Sequence, residues 1–312
     1  METKVNGIHH VTAIATKAKR NFLFYTQFFG KRLLKKTVNF DEPETYHLYY
    51  GDEIGTPGTI LTFFAWDDIP PGISGPEQVA QVAYSISEDS LDFWLKRLKS
   101  QHIQVTKPIE RFDETFISFQ DPDGLNIELI AHSATQVNQP WGTNDIPKGM
   151  AATGFHSVTI ISRCLEETAV ILTGLLGYRL VDRKDNRYRF INHQAQNAAI
   201  IDLVAASGDG RGLISAGSVH HVAFRVENEA VLMQCRKKIV AAGLKITEKI
   251  DRNYFYSVYF REPGGVLFEL ATDNPGFTVD EPLNQLGTRL QLPRQFESRR
   301  AELENLLPSL NS

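Results

Sequence analysis

The chain has 312 residues, 42% of them hydrophobic and 22% charged, with a formal net charge of −4. That composition excludes a disordered or fibrous protein and removes the electrostatic case for nucleic-acid binding. Only Cys164 and Cys235 occur, without CxxC spacing, so no disulfide framework is available and both read as reduced, buried thiols of a cytoplasmic protein.

The N-terminal METKVNGIHH carries no basic segment followed by an apolar one, so no signal peptide is expected. The first predicted strand is Gly7-Ile-His-His-Val-Thr-Ala-Ile. An amphipathic helix over Lys19–Phe29 follows, with Phe22, Leu23, Tyr25 and Phe29 on one stripe, then strands at Tyr46–Tyr50 and Thr59–Phe64. The same order restarts at Val79-Ala-Gln-Val-Ala-Tyr-Ser-Ile, with a helix over Ser90–Ser100 and a strand at Thr115–Phe119. It restarts at Gly154-Phe-His-Ser-Val-Thr-Ile-Ile. It restarts once more at Val219-His-His-Val-Ala-Phe-Arg-Val, with a helix over Val231–Ala242 and a strand at Tyr254–Phe260.

The second and fourth copies also end alike. Asp121-Pro-Asp-Gly turns into Leu-Asn-Ile-Glu128-Leu, and Glu262-Pro-Gly-Gly turns into Val-Leu-Phe-Glu269-Leu. The chain is therefore four βαβββ modules of an α+β protein. Residues 133–150 (SATQVNQPWGTNDIPKGM) form a linker between an N-terminal pair of modules, 1–132, and a C-terminal pair, 151–272. A proline-punctuated tail, 273–312, is expected to pack on the surface, with Glu297–Glu304 a solvated helix face. No apolar run reaches the ~18 residues a membrane span needs.

Aligned on their apolar alternation, His10, Gln81, Ser157 and His221 share one position. In the last strand Val266, Phe268 and Leu270 share a face, so Glu269 points the other way; Val222, Phe224 and Val226 do the same for His221. By the same rule His10 goes with Ile8 and Thr12, and His9 with Val11. Two imidazoles and one carboxylate suit a divalent metal with open positions, the arrangement used for Fe(II) oxygen chemistry. Modules two and three offer Gln81, Ser157 and Glu128 instead, so that half should bind no metal. The intact set comes from modules one and four, which must then be neighbours. His9 and His156 read as structural histidines. His47, His102, His132 and His193 read as ordinary solvated or capping residues, and Asp202 as a leftover or surface carboxylate.

Four such modules with HHVT near the start, HHVAF after Val219 and FEL at Phe268 resemble the vicinal oxygen chelate superfamily, and within it the para-hydroquinone ring-cleaving dioxygenases. The resemblance spans Gly7 to the tail. It implies two open, curved mixed-sheet barrels and Fe(II) held by His10, His221 and Glu269, with Thr12, His220, Arg252 and Tyr259 beside the metal. It implies a small aromatic para-diphenol and O2 as partners, neither nucleic acid nor membrane, in clearance or catabolism of quinols; a homo-oligomer is left open. Strict alternation sends His220 away from His221, so its role requires a bulge at that strand's start. Phe255 or Phe224 would supply an aromatic wall. The rival readings are a glyoxalase-type isomerase or thiol transferase using Mn, Ni or Zn, a catechol dioxygenase, and a non-catalytic quinone- or drug-binding protein. The first would need a fourth carboxylate where module one has Thr62 or Phe63.

Overall fold

The computed structural model describes residues 5–132 and 138–310; residues 1–4, 133–137 of the expected linker, and 311–312 lie outside the described residues. Module one runs β1 (Val5–Ala15), α1 (Ala18–Leu23), β2 (Arg32–Val38), β3 (Tyr46–Gly51) and β4 (Ile60–Ala65). Module two runs β5 (Gln78–Ile86), α2 (Leu91–Ser100), β6 (Ile109–Arg111), β7 (Glu114–Gln120) and β8 (Asn126–Ala131). Module three runs β9 (Phe155–Ser162), α3 (Leu165–Val170), β10 (Arg179–Lys184), β11 (Arg187–Ile191) and β12 (Ile200–Ala205). Module four runs β13 (Val219–Val226), α4 (Glu229–Ala241), β14 (Ile250–Asp251), β15 (Phe255–Arg261) and β16 (Leu267–Pro275).

The helix expected through Phe29 is α-helical only to Leu23. It then widens into a π turn over Phe24–Phe28, closed by the Phe29 amide on the Phe24 carbonyl. Module three repeats this after α3, over Ile171–Leu175. The wider turn feeds buried aromatics inward: Tyr25 stacks on Tyr50 and its hydroxyl donates to Asp121 at 2.9 Å. The longer α4 needs no such turn and is capped by Asn228, whose side chain accepts the Val231 amide.

Two eight-stranded mixed sheets result, ordered β14-β15-β16-β13-β1-β4-β3-β2 and β10-β11-β12-β9-β5-β8-β7-β6. Each combines two modules that are not in the same half of the sequence: one with four, and two with three. The first strands of each pair, β1 with β13 and β5 with β9, meet antiparallel at the centre. Side chains from all four modules share one large core between sheets and helices. The two Pro/Gly turns lock it symmetrically. Asp121 accepts its own turn's amides and the Tyr25 hydroxyl, while Glu262 accepts the Gly264 and Val266 amides and the Thr168 hydroxyl. Gly217, at φ +77°, enters β13 against the first of these turns, where a Cβ would lie 2.0 Å from the Asp123 carbonyl oxygen.

Past β16 the tail packs more deeply than a surface strap. Leu286, Leu292, Leu303, Leu307 and Leu310 are buried, and a short helix, α5 (Arg300–Leu306), ends it. The Gln291 amide bonds the Lys36 carbonyl on the free edge of β2. Lys35 is fully buried between Asp280 and Glu281, 2.6 Å from the latter. Arg299 and Arg300 pair with Glu302, Glu297 and Glu304 on the exposed side, the solvated face expected there.

Candidate metal centre

Across the β1–β13 ladder His10 lies opposite Ala223 and Thr12 opposite His221. Each strand carries one extra residue there. His9 falls between the Ile8–Phe224 and His10–Ala223 rungs, and His220 between the Thr12–His221 and Ala13–Val219 rungs. The bulge at His9 overturns the alternation read from the sequence. Ile8 and Val11 both face the core, and both imidazoles turn to the concave side against Phe255. The bulge at His220 is the one that its expected role required, and it brings His220 to the same side as His221.

Glu269 lies opposite Ala223 in one pairing and Tyr259 in the other. Its Oε2 is 3.2 Å from His10 Nε2 and 2.9 Å from His221 Nε2, and the three ligating atoms lie within 4.8 Å of one another. Glu269 is fully buried; Oε1 accepts the Ser257 hydroxyl, while Oε2 has no hydrogen-bond partner. Burial alone would push its carboxyl up, but the close approach of His10 and His221 outweighs that and holds it well below the usual range. A carboxylate oxygen met by two ring nitrogens, yet aligned with neither as a hydrogen bond, fits a shared divalent cation. The N, N, O donor set occupies one face and leaves the cavity side open.

The bulged histidines set the tautomers. His10 Nδ1 is 2.9 Å from His9 Nδ1, and His9 also bonds the Thr272 carbonyl. If His9 donates to Thr272 through Nε2, its Nδ1 accepts from His10, which leaves His10 Nε2 free as a lone-pair donor. His221 Nδ1 meets His220 Nδ1 at 2.7 Å; if His221 donates there to keep its own Nε2 free, the His220 hydrogen sits on Nε2, on the cavity side. Burial, then the neighbouring His10, holds His9 neutral. Burial, then His221, lowers His220 to about 3. His9 is buried outside the ligand cluster and within hydrogen-bond reach of His10 Nδ1, where it would orient that ring.

The open side is a cavity of about 280 Å³, with His10 and His221 on its floor and Phe40, Phe64, Trp66 and Phe255 as aromatic walls. Arg252 and Tyr259 line it together; Arg252 Nε donates to the Tyr259 hydroxyl at 3.1 Å, and the guanidinium lies over Phe40. Thr12 also lines it. Of the two aromatic walls expected, Phe255 is present. Phe224 is instead buried in the main core against Phe268, because the face it shares with Val222 and Val226 is the inner one. His47, read as solvated, is 7% exposed and lines the cavity. Leu48 and Tyr50 pack into the core, so the neighbouring positions His47 and Tyr49 turn to the concave side, a signal that YHLYYG already held. Ser257 was missed likewise, although it alternates with Phe255 and Tyr259. His102 and His193 are exposed, as read.

The second sheet repeats the geometry with other chemistry. Arg111 grips Glu128 through both terminal nitrogens. Arg187 reaches Thr159 at 2.8 Å, Asp202 at 3.3 Å and Gln81 at 3.4 Å. Asp202 is not at the surface; it is fully buried between Arg187 and Arg189, since its rung lies opposite Thr159 at the sheet centre. Built-in guanidinium groups thus neutralise these carboxylates. Among the described residues, only the first sheet gathers a ligand cluster.

A sequence profile of the Glyoxalase/Bleomycin resistance protein/Dioxygenase superfamily matches residues 7–129 and 154–270. The chain is 40% identical to a Bacillus subtilis protein provisionally named ring-cleaving dioxygenase MhqO, over 99% of this chain and 98% of that one. It is 33% identical to the chlorohydroquinone/hydroquinone 1,2-dioxygenase of Sphingobium indicum, over 96% and 95%. A crystal structure of a provisionally assigned Bacillus subtilis dioxygenase superposes with a TM-score of 0.95 at 38% identity, covering 99% of both chains. Glyoxalase I of Zea mays shares the fold, with a TM-score of 0.63 at 17% identity over 86% of this chain and 92% of that one. With both module pairs matched and full-length relatives at this identity, the chain belongs to the glyoxalase, bleomycin resistance protein and dioxygenase superfamily and has its vicinal oxygen chelate fold.

Proposed function

We propose that the protein is an Fe(II)-dependent, extradiol-type ring-cleaving dioxygenase for hydroquinones, serving the clearance or catabolism of quinols in the cytoplasm. The observation that carries this reading is the orphaned Glu269 Oε2 facing two imidazole nitrogens at the floor of a cavity sized for one substituted ring. Full-length relatives named as ring-cleaving and hydroquinone dioxygenases supply the substrate class. A 1,4-diol has no bond between two hydroxylated carbons, so cleavage falls beside a single hydroxylated carbon.

His10 Nε2, His221 Nε2 and Glu269 Oε2 would hold the iron. When bound, it supplies open positions for dioxygen and a phenolic oxygen and makes that hydroxyl more acidic. The remaining work belongs to the chain. His220, kept neutral by burial, would hold its Nε2 hydrogen as a hydrogen-bond donor to an oxygen on the cavity side. Arg252 stabilises negative charge there, tethered by Tyr259, whose own hydroxyl is pushed up by burial and the Glu269 charge and stays protonated as a donor. Phe255 and Phe40, both lining the cavity, would border an aromatic ring and help exclude water.

Anaerobic reconstitution with Fe(II), followed by an oxygen-electrode screen of methylhydroquinone, chlorohydroquinone and catechol, tests this. Uptake with the para-diphenols, lost in Glu269→Gln, is the expected result. No uptake with any para-diphenol sinks it, and hemithioacetal isomerisation by the Mn, Ni or Zn form would favour the glyoxalase-type alternative. Against that alternative, the rung where a fourth carboxylate would sit holds Thr62.

A further inference from the structure

His47 stands outside the ligand set and outside the second row of residues that the resemblance implied, yet it is one link of a buried hydrogen-bonded chain. The Tyr49 hydroxyl is 3.0 Å from His47 Nδ1; His47 Nε2 is 2.9 Å from Thr62 Oγ1; and the Thr62 hydroxyl donates to Thr12 Oγ1 at 2.9 Å. Tyr49, Thr62 and Thr12 are no more than 1% exposed, and His47 is 7% exposed. The chain crosses three strands, β3, β4 and β1, where Tyr49 is paired with Thr62 and Thr62 with Thr12.

Its polarity follows from donor counting. Among the described residues the buried Tyr49 hydroxyl has one partner, His47 Nδ1, so its single hydrogen goes there. His47 must then carry its own hydrogen on Nε2 and donate to Thr62. Thr62 has accepted at its oxygen and passes its hydrogen to Thr12. Thr12 has accepted in turn, and its hydroxyl hydrogen has no direction left but the cavity it lines. Burial, with His10 and His221 nearby, keeps His47 neutral, as a one-way chain needs.

Resting on the functional reading above, we propose that His47 is a positioning residue which, through Thr62, fixes the Thr12 hydroxyl as a hydrogen-bond donor to an ionised ring oxygen. The cavity thereby selects the phenolate form of its substrate at the Thr12 side. A chain running the other way would present an acceptor there and favour the neutral phenol.

The probe is nitrohydroquinone, whose ionisation is visible in its absorbance, bound to the zinc-loaded protein, which holds the ring without redox turnover. Thr62→Val keeps the shape but interrupts the chain, and should raise the apparent pKa of the bound dye by about one unit, a tenfold loss of phenolate at fixed pH. Thr62→Ser should restore the wild-type value, which a purely structural role for Thr62 does not require. Tyr49→Phe removes only the first donor and gives the same upward shift if Thr62→Val does not fold. Wild-type titration by both Thr62→Val and Tyr49→Phe, or failure of Thr62→Ser to rescue, overturns the proposal. A normal dye response without oxygen uptake by the ferrous enzyme sinks the dioxygenase reading alone, whereas a wild type that does not bind the dye sinks both.

Discussion

Glu128 and Glu269 occupy the same rung of the two sheets, Glu128 opposite Ala83 and Ser118, Glu269 opposite Ala223 and Tyr259. One is satisfied by the guanidinium of Arg111; the other faces two ring nitrogens and keeps one oxygen unpartnered. A single backbone design thus holds a carboxylate that an arginine of the chain neutralises in one sheet and that, under the proposed function, a bound cation would neutralise in the other.

A cation that binds only the folded protein stabilises it by mass action. At about a hundred times its Kd, Fe(II) or Mn(II) should add about 2.7 kcal/mol of stability, seen as a rise in Tm reversed by a chelator. Glu269→Gln and His10→Ala should abolish the rise, whereas Glu128→Gln should leave it intact. Calorimetry with metal analysis checks this, and an unchanged rise in Glu269→Gln would contradict the assignment.

Removing the built-in cation of the second sheet leaves a buried charge without its partner. Glu128 is 1% exposed and Arg111 12%. Arg111→Met should cost about 3 to 5 kcal/mol. Adding Glu128→Gln to it should recover part of the loss, because the uncompensated charge goes too. Urea unfolding of the single and double variants reads this directly.

Lys31 gives the stability a pH signature. Its amine is buried, bonded to the Ala152 carbonyl at 2.6 Å and 4.4 Å from the Tyr84 ring centre, and burial lowers its pKa to about 7 despite the charge of Asp52. The folded protein therefore binds fewer protons than the unfolded chain between about 7 and 10.5. Stability should rise with pH across that window, by an amount on the order of 4 kcal/mol from this residue. Lys31→Met should flatten the slope, and equal slopes in the two proteins would refute the prediction.

Arg252 lines the cavity without touching Glu269, so its loss should impair chemistry and spare the fold. Arg252→Ala should lower kcat/KM for a hydroquinone by roughly a hundredfold with little change in Tm, and Arg252→Lys should recover only part, since a lysine cannot reproduce the guanidinium fork. Steady-state oxygen uptake beside a melting curve separates the two effects.

Much of this architecture was legible in the chain. Four restarts of one pattern predicted four modules, and the division of histidines and glutamate between modules one and four predicted which modules adjoin. Strand alternation put His221 and Glu269 on one face correctly. It failed at Ile8 and His9, because a bulge shifts the phase by one residue and its position depends on the opposite strand. Asp202 and His47 were misjudged for a related reason. Polar residues on a half-buried strand look solvated until the sheet curls over them and supplies Arg187, Arg189, Thr62 or Tyr49 as partners.

The central pairing of β1 with β13 also orders events during synthesis. A nascent chain leaves the ribosome with its first imidazoles unmatched and must add roughly 200 more residues before their partner strand emerges, a long wait for a contact of such sequence separation. Under the proposed assignment, capture of a cation would consequently be a late step: a product cut short before the fourth module carries His10 without His221 or Glu269.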